Sequence, residues 1–400
     1  MEKFLALSVS GAVSGAVYSL LAVGLVLTYS TSGVFNFAHG AVAFATAFVF
    51  FELNTGLGWP VWLAAIVSIV LFAPLLGVLL DKAIFRRLAQ ASQSARIVAT
   101  VGMMIAIPSI ALWVVDVLIG TFDADIPSGD NIFSPPGLGP VPKKVWSLGD
   151  QIRIDSNQLV ALVAAAVSAF GMWLLVNHTR IGLRMRAAVQ RPGLAQSRGI
   201  DTARVSGFSW ALGFGLAGLA GVVGAPFFSL TPSTYTTVLF VAATAAVLGG
   251  LRSMPLAFLG GILLGLAQSL IAGYATFASN ITGFSTSVPF VFLFVGLLVM
   301  NRERGRVAGQ VAEDDVPTDH HSDLSVIRRA LPWVIAGVAF CVYLFFIADT
   351  YWQGQLTKGL AYSIIFLSFT IVIGAGGMVS LAQASFVTLA ALVTGLLLSH

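Results

Sequence analysis

The sequence predicts an all-α fold of many membrane-spanning helices, and three observations carry that prediction. Hydrophobic residues make up 57% of the 400-residue chain and charged residues only 10%, against about a quarter charged in soluble domains. The apolar residues come in blocks of about twenty, the length of helix that crosses a hydrocarbon layer. The arginines lie between these blocks rather than inside them. A mean hydropathy of +0.92 agrees with this reading. The net charge of +4 is what orientation in a bilayer requires, so it gives no reason to expect nucleic acid as a partner. The one cysteine, Cys341, sits in an apolar block and has no second cysteine to pair with.

The blocks fall at roughly 4–29, 38–53, 60–80, 97–119, 157–177, 205–226, 236–250, 255–274, 285–300, 331–348, 357–375 and 381–399. The N-terminus has a weak basic start and no small-residue cleavage site, so block 4–29 reads as an uncleaved helix. The stretch Gly15 to Val42 then breaks, at Tyr29–Gly33, and sets Ser32, Asn36 and His39 in an otherwise apolar run. Polar side chains at membrane depth need protein or a water-lined cavity around them. These three are therefore candidates for lining a translocation path. For His39 two roles stand side by side: binding a carboxylate or gating through its protonation, and an interhelical hydrogen bond that pins the break, which is the plainer of the two.

Three inter-block segments are rich in arginine and belong in the cytoplasm by the positive-inside rule. They are 81–96 (Lys82, Arg86, Arg87, Arg96), 178–204 (Arg180, Arg184, Arg186, Arg191, Arg198, Arg204) and 301–306 (Arg302, Arg304, Arg306). Segment 120–156, rich in Pro, Gly and Asp, belongs outside. These anchors alternate consistently and put the N-terminus outside if the first three blocks all cross; a re-entrant 38–53 would reverse it. Residues 1–300 thus form one domain of about eight or nine membrane segments. Residues 301–330 carry many charges and few large apolar side chains, which predicts a mobile cytoplasmic linker. His320 and His321 within it have no ligand set around them, and no metal site is expected.

A shift of 344 positions lays Gly15 on Gly359, Tyr18 on Tyr362, Ser19 on Ser363, Gly33 on Gly377 and Ala38 on Ala382, without a gap. Asn36 and His39 then fall on Ser380 and Gln383, which join the path candidates. Residues 331–400 therefore read as the start of a second domain, parallel to the first because one extra helix precedes its copy of the break. That copy stops early, so the chain is expected to be part of a longer one or to find its other half elsewhere.

Small residues at four-residue spacing mark helix contacts: Gly213, Ala217, Gly221 and Ala225 on one helix, and Gly261 with Gly265 on another. In lipid, close backbone approach supplies much of the packing between helices. In segment 178–204, Met185–Gln190 suits a short helix, Pro192 can open a second and Gly199 can close it. Six arginines against the lone Asp201 exceed what orientation needs. A segment of this kind suits docking on a cytoplasmic ATPase, and Arg184, Arg186, Gln190, Arg191, Pro192, Gly193, Ala195 and Gly199 are its candidate contact residues.

With NFAHG at 36–40, TRIGLRMRAAVQRPGLAQSRGID at 179–201 and AAVLGGLRSMPLAFLGGILLGLAQ at 245–268, the chain resembles the membrane permeases of ABC importers for branched-chain amino acids. The resemblance covers essentially all of 4–300. Residues 331–400 look like the start of the companion permease, so the chain resembles a fusion of the two. This implies an ABC importer permease fold in a bacterial plasma membrane, with two permease halves, fused or separate, forming the pore in the lipid bilayer. It also implies an extracytoplasmic binding protein that delivers the ligand and cytoplasmic ATPases that bind ATP, the chain itself holding no cofactor. The turn at Gln190–Gly199 would be the coupling loop, although Arg186 stands where the broader importer pattern has Glu before Ala-Ala. Gly-His is common in the companion permease where this chain has Gln383–Ala384. Substrates of this class are branched-chain or other small hydrophobic amino acids, with urea or short amides taken by relatives.

The chain has no phosphate-binding Gly-rich loop ending in Lys-Ser/Thr and no paired acids or His cluster at one depth, so no enzyme activity is expected. An ion-coupled secondary transporter of small polar solutes is the alternative. It calls for an acidic residue or an unwound Gly/Pro pair at a midplane site in each half. Apart from Glu2, Glu52 is the only Glu before the linker, and it sits near a helix end.

Overall fold

The computed structural model describes every residue except 1, 89–90, 92, 123–126, 128–134, 148–152, 191, 252, 276–283, 301–324, 377–382 and 399–400. It separates into two units, Met1–Arg302 and Glu303–His400. Among the described residues eight helices are long and apolar enough to cross a membrane.

In the first unit α1 (Glu2–Ser32) is followed by the short α2 (Ala38–Phe51). The next crossing is one continuous helix over Val61–Phe85, in which α3 (Val61–Ala65) and α4 (Ala73–Leu80) are joined and extended by π-helical turns. Then come α5 (Gln93–Phe122), a two-stranded antiparallel ribbon of β1 (Val145–Ser147) with β2 (Arg153–Asp155), and α6 (Ser156–His178). The ribbon lies in the segment read from sequence only as an external loop. Two short helices, α7 (Arg180–Gln190) and α8 (Pro192–Ser197), precede α9 (Thr202–Gly224), α10 (Pro232–Leu248), α11 (Met254–Tyr274) and α12 (Phe284–Met300).

The helix starts follow the local chemistry. Asp155 and Gln158 form a reciprocal capping box at α6, with Gln158 N donating to Asp155 Oδ1 at 2.7 Å and Asp155 N to Gln158 Oε1 at 3.0 Å. Asp201, Thr231 and Ser253 cap α9, α10 and α11 by accepting from the backbone N–H three residues on.

α1 lies at the centre, buried without interruption from Gly15 to Thr28, as a helix apolar on all sides should be. It packs on α6, α9, α10 and α11. Ser269 Oγ of α11 donates to Leu7 O at 2.7 Å, and Ser19 Oγ donates to Phe258 O at 2.6 Å, so α1 and α11 run antiparallel. Gly224 faces Val17 and Gly213 faces Thr28, so α1 and α9 are antiparallel too. The third crossing ends where α9 begins, because Arg86 Nη2 donates to Ala203 O at 2.9 Å. Hence α1 and the Val61–Phe85 helix run parallel, and the chain returns between them. α2 contributes a partial crossing: it starts beside Gly24 and Gly213, at mid-depth, and its 14 residues rise about 21 Å.

The second unit holds α13 (Val326–Val342), α14 (Thr350–Gly376) and α15 (Gln383–Leu398). α13 begins inside the stretch read as linker, since Val326–Ala330 are already helical. His320 and His321 lie outside the described residues. Residues 377–382, onto which the shift of 344 positions carries the break at 33–38, lie outside the described residues.

Candidate functional site

The break between α1 and α2 comes a few residues later than the sequence predicts. α1 stays helical through Tyr29 and ends at Gly33, whose φ of +69° suits a residue without a Cβ. The N–H of Gly33 donates to Tyr29 O at 2.8 Å, closing the helix. Ser32 Oγ donates to Thr28 O at 2.7 Å and accepts from Val34 N at 3.2 Å, so it shapes the exit of the helix. Asn36 Oδ1 accepts from Ala38 N at 3.0 Å and opens α2. Thr100 of α5 donates to Phe35 O at 3.3 Å, fixing the non-helical segment from outside.

Asn36 and His39 are fully buried. The imidazole lies against Gly24 of α1, with its edge toward Phe214 of α9, ring centres 5.5 Å apart. Both of its nitrogens, and Asn36 Nδ2, lack a hydrogen-bond partner among the described residues. The interhelical hydrogen bond expected of His39 is therefore not what holds the break. Packing does: a Cβ on Gly24 would stand 2.5 Å from His39 Nε2. Buried polar atoms left unpaired by protein cost about 1–3 kcal/mol each, which favours a polar partner from outside the chain, such as water, at these positions.

The predicted small residues meet real partners. Gly213 faces Gly24 O and Thr28, while Gly221 rests on the backbone of Ala43 and accepts a 2.8 Å hydrogen bond from Tyr235 Oη at its carbonyl. Ala217 between them is fully buried. Gly261 packs on the backbone of Ser19 and Gly265 on that of Gly11 and Gly15. The matching stripe Gly11, Gly15, Ser19 was missed at sequence level, although it repeats every four residues.

In the second unit Gln383 Nε2 donates to Ser368 Oγ at 2.6 Å. Ser380 lies outside the described residues.

The hairpin within 178–204 has the predicted parts with a longer first helix. α7 begins at Arg180, five residues ahead of the expected Met185. Gly182 lets its first turn lie directly on the end of α6, touching the carbonyls of Leu175 and Val176, and Thr179 Oγ1 accepts from Gly182 N at 3.0 Å. α8 starts at Pro192, ends at Ser197 and is closed by Gly199, φ +77°. There Gly199 N donates to Gln196 O at 2.9 Å and Ile200 N to Ala195 O at 3.0 Å, the double closure of a Schellman turn. Met185 and Ala195 are buried and anchor the hairpin, whereas Arg184, Arg186 and Gly193 are exposed. Gln190 and Pro192 bracket the turn, and Arg191 lies outside the described residues.

A polar cluster beside the hairpin escaped the sequence reading. Asp81 is buried, pairs with Arg86 Nε at 2.9 Å and accepts from Ser206 Oγ at 3.0 Å. Together with the Arg86–Ala203 bond it ties the third crossing to the first turns of α9. Above it Phe85 stacks on Trp210 at 4.1 Å, and Trp210 meets Phe214, the ring beside His39.

Comparison with known proteins agrees with this architecture. The sequence family described as branched-chain amino acid transport system, permease component, matches residues 7–301. The chain is 27% identical over 309 residues to the high-affinity branched-chain amino acid transport system permease protein LivH of Escherichia coli, covering 74% of this chain and 94% of that one. It is 29% identical over 288 residues to the probable branched-chain amino acid transport permease protein LivH of Methanocaldococcus jannaschii, covering 70% and 85%. It is 26% identical over 269 residues to the corresponding protein BraD of Pseudomonas aeruginosa, covering 65% and 84%. This multi-pass membrane protein belongs to the family of permease components of branched-chain amino acid transport systems, which are transporters and not enzymes.

Proposed function

We propose that the chain is a translocating subunit of an importer in a bacterial plasma membrane that takes branched-chain amino acids from an extracytoplasmic binding protein. Import is driven by ATP hydrolysis on cytoplasmic partner subunits. The observation that carries the reading is the α7–α8 hairpin. It is a small, well-closed structure with exposed arginines, anchored on α6 and continuous with α9. Force applied to it reaches α9, and α9 packs directly on the break at His39. In this reading Arg184, Arg186, Gln190, Arg191, Pro192, Gly193, Ala195 and Gly199 form or support the ATPase contact. The break carrying Ser32, Asn36 and His39 belongs to the wall of the path.

Residues 331–400 act as the opening of a second permease half, with Ser380 and Gln383 at its own break. The support is the match of residues under the 344-residue shift, together with the contact of Gln383 with Ser368, which stands where Gly24 meets His39.

Uptake of labelled leucine into proteoliposomes tests this. They would carry the full natural chain and its ATPases, with ATP inside and the binding protein outside. Accumulation that needs both ATP and binding protein supports the importer. Accumulation that follows an imposed ion gradient and ignores ATP supports the secondary transporter instead.

A further inference from the structure

We propose that the cavity between α1, α6, α7 and α11 holds one phospholipid of the cytoplasmic leaflet, with an anionic headgroup on Arg186 and an acyl chain lying along α1. The cavity measures about 740 Å³, large for one amino acid but of the size that takes an extended amphipathic molecule.

The polar residues of its lining gather at one end, among apolar ones such as Met185 and Met254. At the end near the arginine-rich segment stand Ser30, Thr31, Asn177, Arg186 and Ser253. Toward mid-depth stand Val23, Leu27, Ala169, Met172 and Phe258. From Thr31 to Val23 the helix rises about 12 Å, so the apolar part runs along the bilayer as an acyl chain would. Trp173 on the rim has the place of an interfacial aromatic.

The charge is complementary to an anion. Arg186 lines the cavity, and no described carboxylate pairs with Arg186. Basic pockets between membrane helices on the cytoplasmic side suit anionic headgroups. A zwitterionic amino acid is less well matched in charge, because the cavity lining has an arginine and no Asp or Glu to balance an ammonium group.

The test uses the full chain with its partner subunits in detergent. Native mass spectrometry would count bound dioleoyl phosphatidylglycerol against dioleoyl phosphatidylcholine. One tightly held phosphatidylglycerol is expected. Arg186→Gln should weaken it about fivefold, the loss that goes with one basic residue near an anionic surface, and Arg186→Lys should restore most of it. Arg180→Gln, outside the cavity, should leave it unchanged. Ala169→Phe, which fills the apolar end, should displace it. Equal binding of the two lipids, an equal loss with Arg180→Gln, or displacement by leucine would each overturn the proposal. None of these readouts depends on transport, so the importer reading could fail while this one stands.

Discussion

Gln383 donates a 2.6 Å hydrogen bond to Ser368, and the residues 344 positions earlier, His39 and Gly24, are likewise in contact across the break of the first unit. The two units bring the same pair of positions together with different chemistry. In the first unit a bulky ring fills the space that a side chain at residue 24 would need. In the second, a hydroxyl at residue 368 receives the amide of a more slender partner.

This relationship predicts an exchange. Gly24→Ser alone should destabilise the protein by about 1–3 kcal/mol, the usual cost of overpacking, because its Cβ would meet His39 and, at 2.9 Å, Gly213 O. The double variant Gly24→Ser with His39→Gln reproduces the pair of the second unit and should recover the part of the loss due to His39, leaving the part due to the Gly213 carbonyl. Thermal melting in detergent measures both, and a double variant no better than the single would contradict the shared geometry.

The α1–α11 contact makes a second prediction. Gly265→Ala should lower stability by about 1–3 kcal/mol, since the methyl would enter the backbone of Gly11 and Gly15. Gly395→Ala, with nothing near it, should be neutral or slightly stabilising. The same melting assay distinguishes them.

The polar cluster under α9 makes a third. Asp81→Ala removes the partner of both Arg86 and Ser206 and should cost about 1–3 kcal/mol, the range for a lost charged hydrogen bond discounted for the part-exposed arginine. If the three act together, Asp81→Ala and Ser206→Ala should be non-additive in a double-mutant cycle.

Gly199 and Gly193 form a contrast within one short helix. Gly199→Ala must hold a left-handed backbone, at a cost of about 1–2 kcal/mol, and should loosen the closure of α8. Gly193→Ala is helical with open space around it and should stiffen α8 slightly. Hydrogen exchange at Gly199 N and Ile200 N would report the difference, faster in the first variant and unchanged or slower in the second.

What the sequence made legible was local. Block length located the long apolar helices, because hydropathy acts residue by residue. The blocks at 38–53, 236–250, 285–300 and 381–399, by contrast, became helices too short to count among the eight described spans. Pro192 and Gly199 gave the second helix of the hairpin, because start and stop signals are local too. The break was placed early because Ser30–Ser32 look like poor helix formers; their hydroxyls instead bond back to carbonyls three or four residues earlier and continue the helix. The pairings were not legible. Gly24 with His39, Gly11 and Gly15 with Gly265, and Asp81 with Ser206 join distant parts of the chain, and no short period in the sequence carries them. His39 attracted a hydrogen bond on chemical grounds, yet its neighbours are a glycine and a phenylalanine edge.

The central claim is that the α7–α8 hairpin couples the permease to its ATPases, and one measurement tests it most directly. ATP hydrolysis would be followed in proteoliposomes carrying the full natural chain and its ATPases, with and without leucine-loaded binding protein. The comparison is a variant in which residues 190–199 are replaced by a flexible Gly-Ser run. The account predicts that loaded binding protein raises hydrolysis in the natural protein and that the replacement abolishes the rise while both proteins melt at similar temperatures. Stimulation that survives the replacement would contradict it.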